Sequence, residues 1–181
     1  MRVDLIAGAR PNFMKIAPII DAIKNHGNSE LSFRLIHTGQ HYDHKMSGSF
    51  FEELGIPQPN INLEVGSGTQ AEQTARIMQG YEALLLKEPT DLCLVVGDVT
   101  STMACAIAAK KLNIKVAHIE AGIRSGDMTM PEEINRIVTD SIADYFFTTS
   151  TWASDNLLKY GANASKIHFV GNVMIDSLYQ N

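Results

Sequence analysis

Residues 92–136 read LCLVVGDVTSTMACAIAAKKLNIKVAHIEAGIRSGDMTMPEEINR, and they limit the fold more tightly than any other stretch. Two short apolar runs, 92–96 and 116–119, have the length and branching of buried strands. The Ala-rich segment between them, roughly 100–112, is helical. Strand, helix and strand at this spacing form a βαβ unit, and parallel strands need such a crossover. Each apolar run leads into an acid, Asp98 after the first and Glu120 after the second. Ligands of such sheets bind outside the carboxyl ends of the strands, so both acids fall on one rim. A third acid, Glu132, follows on the return from that rim. Three converging carboxylates repel one another unless cations or substrate contacts offset the repulsion.

The rest of the chain repeats the pattern. Further strands are expected at 2–7, 33–37, 60–65, 145–149 and 167–170. Helices are expected at 12–24, 49–54, 69–87, from Pro131 onward, from Ser150/Thr151 to about Tyr160, and at 173–179. About seven strands alternating with helices predict an α/β fold, a doubly wound Rossmann-like parallel sheet. Gly8-Ala9-Arg10-Pro11 joins the first strand to its helix. A Gly-bearing turn with Arg10 at a helix start is a plausible anion cradle, although it is neither a Walker nor a GxGxxG motif. His37, His41 and His44 cluster after the second strand, in no ordinary zinc spacing. Their place at a strand end favours polar substrate contacts, His41 among them, over metal.

Local alternatives compete with the chemical readings. Asp98 has the residue type of a helix N-cap, but Thr100 and Ser101 are also available for capping. Thr129 and Glu132 fit a capping box around Pro131, a structural role for Glu132. Arg136 stands one helical turn after Glu132, where a surface ion pair is the plain expectation. His118, inside a strand, reads as a packed core histidine. Arg76 on the long helix reads as solvated or structural.

Composition closes off several classes. The formal net charge is −5, and no basic run or aromatic-interleaved basic patch occurs, which argues against nucleic acid. No apolar run is long enough to span a bilayer, and Met1 leads directly into a strand pattern rather than a signal peptide. The two cysteines, Cys93 and Cys105, sit in apolar segments and read as buried thiols of a reducing compartment. A cytoplasmic protein is expected.

The motifs GARPNFMKIAPI, HTGQHYD, GDVTST, HIEAGIRSGD, PEEINR and GNVMID occur in this order along almost the whole chain. With them the chain resembles the amino-terminal half of the non-hydrolysing UDP-N-acetylglucosamine 2-epimerases. The resemblance implies one half of a GT-B-type architecture, two Rossmann-like domains facing a cleft that holds a UDP-sugar. It implies a carboxy-terminal domain absent from this chain, which is then incomplete for catalysis, and a homodimer when complete. It implies Asp98, Glu120 and Glu132 as acidic catalytic residues, Arg10 and Lys15 as basic cleft residues, and Arg136 as a substrate-side arginine. The implied reaction interconverts UDP-GlcNAc and UDP-ManNAc by elimination and re-addition of UDP with inversion at C2, without a nicotinamide cofactor. The stretch Tyr42-Asp43-His44-Lys45 and the short loop before Pro131 depart from bacterial members near their second UDP-GlcNAc site. Allosteric activation is therefore not carried over.

Two other readings stand beside this one. A sugar-nucleotide glycosyltransferase domain has the same architecture, and fold alone does not separate the two. A non-catalytic module that binds nucleotide without turnover is the third. The three acids favour the epimerase.

Overall fold

The structure is a computed structural model that describes residues 1–26, 30–39 and 48–180, with the backbone alone at 48–50 and 177–180. The described residues form a seven-stranded sheet, parallel throughout. Its strands are β1 (Arg2–Ala7), β2 (Ser32–His37), β3 (Ile61–Asn62), β4 (Leu92–Val96), β5 (Lys115–Ile119), β6 (Tyr145–Thr148) and β7 (Ile167–Phe169). Their spatial order is β3-β2-β1-β4-β5-β6-β7. The chain winds outward from β1 to β3, then returns beside β1 and winds the other way. The reversal between β1 and β4 is the topological switch point, where α/β sheets leave a crevice.

Alternation along the strands builds two cores. Leu5, Leu35, Leu94, Val96 and Ile119 face one side, where Phe13, Ile16 and Ile20 of helix α1 (Arg10–Asn25) cover them. Ile6, Ile36, Cys93, Val95 and Val116 face the other side. There they meet Ile77, Tyr81 and Leu85 of α3 (Gln70–Lys87), which follows the short α2 (Gly48–Glu53). They also meet Ala104, Cys105 and Ala108 of α4 (Thr100–Lys111). A fully buried side chain of this size contributes roughly 1.5–3 kcal/mol. Small residues let α4 lie close to the sheet while packing against both α3 and α5 (Pro131–Ile142). Helices α6 (Thr151–Lys159) and α7 (Val173–Gln180) complete the layers.

The elements expected from sequence form, with one marked difference. β3 is two residues long rather than spanning 60–65. The Asn62 carboxamide captures the Glu64 N–H at 3.0 Å, and Glu64 turns to φ +52°. That side-chain turn ends the ladder. Both cysteines are free and fully buried. Burial pushes the Cys93 thiol up to about 12, so it is no nucleophile. Among the described residues no helix is long and apolar enough to cross a membrane.

Candidate active site

The switch point is built from three turns. β1 and β4 are hydrogen-bonded neighbours, and α1 starts immediately after the turn that leaves β1. Asn12, in the first turn of α1, ties that turn to β4. Its Oδ1 accepts the Gly8 and Ala9 N–H groups at 3.1 and 3.0 Å, and its Nδ2 donates to the Val96 carbonyl at 3.2 Å. The anion cradle expected at residues 8–11 is accordingly narrower than its sequence suggests. Two of its backbone donors are already taken by Asn12, and Pro11 has none. Arg10 stands exposed at the first position of α1.

Lys15 reaches from the second turn of α1 across the crevice. Its Nζ lies 2.5 Å from Glu120 Oε2, with the two side chains only 16% and 11% exposed. A pair so shielded interacts more strongly than an ion pair on open surface. Glu120 follows β5 directly, in register with the end of β4 through the Val96–Ile119 pairing. Gly97 lies between these groups at φ +71°. A side chain there would put its Cβ 3.4 Å from Lys15 Nζ and 3.5 Å from Glu120 Oε2. Glycine therefore keeps the space beside the ion pair open.

Asp98 does not cap α4. The N-cap position is Val99, without a side-chain cap, and Thr100 turns its hydroxyl to Gln70 Oε1 at 3.2 Å. The expected capping by Thr100 or Ser101 is absent, yet Asp98 is free of that duty. It accepts instead from Arg136, at 3.0 Å from Nε and 2.5 Å from Nη2. Asn135 Nδ2 donates to the Asp98 carbonyl at 2.8 Å, so α5 holds both the backbone and the side chain of this residue. The Asp98 side chain remains one-third exposed.

The first turn of α5 departs from its expected form. Met130 is the N-cap and makes no side-chain cap, while Thr129 bonds Asp127. The capping box around Glu132 does not form. Glu133 does the holding: it accepts the Ser125 and Gly126 N–H groups at 2.9 and 3.0 Å and pairs with Arg136 at 2.8 Å. Burial opposes ionisation of Glu133, but these donors outweigh it and hold the carboxyl at about 2. The Arg136 ion pair expected with Glu132 is made with Asp98 and Glu133. Glu132 is half-buried at the head of α5 and forms no ion pair with the other described residues.

His118 is fully buried. Its Nδ1 lies 2.7 Å from Asp140 Oδ1 and its Nε2 lies 2.8 Å from the Gly97 carbonyl. Asp140 also accepts the Gly122 N–H at 3.0 Å and Arg124 Nη1 at 2.6 Å. Burial alone would raise the Asp140 carboxyl, but the charges and hydrogen bonds of His118 and Arg124 hold it below the usual carboxylate range.

The structure thus brings Asp98, Glu120, Lys15 and Arg136 to one rim, with Arg10 and Glu132 at the starts of the two helices that flank it. Each of the first two acids meets a cation, the offset that clustered carboxylates require. His41 and the stretch 42–45 lie outside the described residues. Asn12, Asn135 and Asp140 escaped the sequence reading, and so did the holding role of Glu133. The Glu133–Arg136 spacing, three apart on a helix, is the one local signal that could have found a contact among them.

Known proteins match the chain along nearly its whole length. The family described as UDP-N-acetylglucosamine 2-epimerase matches residues 22–181. A UDP-N-acetylglucosamine 2-epimerase homolog of Methanococcus maripaludis is 51% identical over 178 residues, covering 98% of this chain and 48% of that protein. The UDP-2,3-diacetamido-2,3-dideoxy-D-glucuronate 2-epimerase of Pseudomonas aeruginosa is 47% identical, covering 98% of this chain and 50% of its own. The crystal structure of Methanocaldococcus jannaschii UDP-GlcNAc 2-epimerase in complex with UDP-GlcNAc and UDP superposes with a TM-score of 0.94 at 45% identity. It is matched over 100% of this chain and 49% of its own. The chain spans about half the length of the relatives it matches.

Proposed function

The chain belongs to the UDP-N-acetylglucosamine 2-epimerase family, and from that membership we propose that it forms the amino-terminal half of an enzyme interconverting UDP-GlcNAc and UDP-ManNAc. A second Rossmann-like domain completes the cleft in this reading, the whole is a homodimer in the cytoplasm, and the half alone is inactive. The observation that carries the reading is the rim itself: Asp98 and Glu120 side by side at the switch point, each held by a cation. Family membership favours an isomerase over a transferase or a silent module.

Inversion at C2 by elimination needs three things. A base takes the C2 proton, the C1–O bond to UDP breaks with its electron pair leaving on the diphosphate, and a C1–C2 double bond forms. Re-addition reverses these events with the proton delivered to the opposite face. Two carboxyl groups on opposite sides of the sugar suit this exchange. We assign Asp98 as the base, with Glu120 and Glu132 handling charge at C1 and proton delivery. Arg10 and Lys15 face the leaving diphosphate, whose developing charge they stabilise. Arg136 aligns Asp98 and lies on the substrate side, and His41 contacts substrate.

The relative from Pseudomonas aeruginosa supports a second reading of the sugar. Its name specifies a different UDP-sugar at nearly the same identity, so a more heavily substituted 2-acetamido sugar is the alternative substrate. Full-length protein incubated with UDP-GlcNAc carrying 18O in the C1–O bridge tests both points. Formation of UDP-ManNAc with the label scrambled into non-bridging diphosphate positions supports elimination. Product with the label wholly retained in the bridge would overturn it. Turnover of the diacetamido-glucuronate nucleotide alone would transfer the assignment to the second sugar.

A further inference from the structure

Among the described residues, the His118 ring meets two acceptors and no donor. The Gly97 carbonyl carries no proton, and Asp140 is a carboxylate already receiving the Gly122 N–H and Arg124. A neutral imidazole has one N–H, so it would leave a bare nitrogen lone pair facing an oxygen at under 3 Å. If Nε2 were bare, the Gly97 carbonyl would be repelled. If Nδ1 were bare, the Asp140 carboxylate would be repelled. Water does not rescue either case, because the side chain is fully buried.

We propose that His118 is held as an imidazolium, protonated on both ring nitrogens, and that it is the positioning residue that sets the rim acids. The geometry gives it leverage on two turns at once. Nε2–H grips the carbonyl of Gly97, whose peptide continues into Asp98. Nδ1–H grips Asp140, which fixes Gly122 in the turn just after Glu120. Asp140 lies in the same helix as Arg136 and Asn135, the residues that hold Asp98. His118 touches no substrate position and acts through these neighbours. The role deepens the reading of Asp98 and Glu120 as catalytic and rests on it, while the protonation state does not.

Two measurements separate those parts. The ring-nitrogen NMR spectrum of full-length protein labelled with 15N-histidine, taken without substrate near neutral pH, reads the protonation state directly. The His118 signals are identified by their loss in His118→Gln. Two protonated nitrogens are expected. One bare nitrogen would overturn the imidazolium. In Asp140→Asn the new amide donates to Nδ1, so His118 is expected to turn neutral with its proton on Nε2. If it stays doubly protonated there, Asp140 is not the partner that sets its state.

Turnover reads the positioning. His118→Gln offers one donating group where two are needed, and kcat is expected to fall on the order of 100-fold with KM little changed. Asp140→Asn keeps the grip on Gly97 through Nε2–H and is expected to retain kcat within about tenfold. Equal losses in the two variants, or none in His118→Gln, would overturn the positioning role. Should His118→Gln fail to fold, the ring signals that shift in Asp140→Asn identify His118 instead, the wild-type spectrum then decides the protonation state, and Asp140→Asn turnover still decides whether the Gly97 grip suffices.

Discussion

Glu120 sits at φ +66°, a backbone conformation that side chains other than glycine seldom adopt. Holding it there costs about 1–3 kcal/mol, a strain that proteins tend to keep at functional sites. The turn swings the carboxylate away from the strand face and onto the rim, where Lys15 holds it. Asp98 reaches the same rim without strain of its own, aimed by Arg136. Asp98→Asn keeps the shape of the site and removes the proposed base. We predict that it lowers C2 proton exchange by about 10²- to 10⁴-fold in full-length protein, measured as solvent deuterium uptake. An unchanged rate would move the base to another acid. Gly122 follows at φ +80°, and a Cβ there would stand 2.2 Å from the Ala153 carbonyl oxygen. Gly122→Ala is predicted to destabilise the fold by about 3 kcal/mol or more, read from the denaturant midpoint.

The elements carry the next part of the account. The strand runs were legible in the sequence because buried parallel strands are continuously apolar, and their expected bounds differ little from those in the structure. β3 was overestimated because the Asn62 turn competes with the ladder, and alternation alone does not weigh that competition. At the head of α5 the sequence offers Glu132 and Glu133 side by side. Adjacent helical residues point about 100° apart, and which one meets the 125–126 loop depends on how α5 is rotated against α4. Likewise Asp4 and Arg34 gave no local signal. Strand register pairs them across β1 and β2, with Arg34 Nε and Nη2 donating to the Asp4 carboxylate at 2.9 and 2.8 Å. Tyr81 adds a third donor at 3.0 Å. The pH response of the α5 head follows from Glu133. Its folded carboxyl titrates at about 2 against an ordinary 4.5, so its contribution is fully present above the ordinary value and is lost as pH falls toward 2. Its size is about 3 kcal/mol. Glu133→Gln is predicted to lower stability at neutral pH and to flatten the loss between about pH 5 and 2, measured by thermal unfolding across that range.

At the scale of the whole molecule, strand order decides what the residues can do. Reversal between β1 and β4 gathers Arg10, Lys15, Asp98 and Glu120, which are far apart in sequence, at one crevice. The βαβ unit at 92–119 already implied that Asp98 and Glu120 share a rim, and the structure bears that out. The cations were assigned through family resemblance, since a helix pattern does not say which lysine crosses to which acid. On the proposed reading the crevice is half a cleft, and the second domain supplies the remaining contacts to the nucleotide. The central claim is that this rim removes and returns a proton at C2. Full-length protein with UDP-GlcNAc in D2O, followed by proton NMR, tests it most directly. The account predicts UDP-ManNAc bearing deuterium at C2. UDP-ManNAc that retains its original C2 proton, or a folded protein that binds UDP and yields no epimer and no exchange, would contradict it.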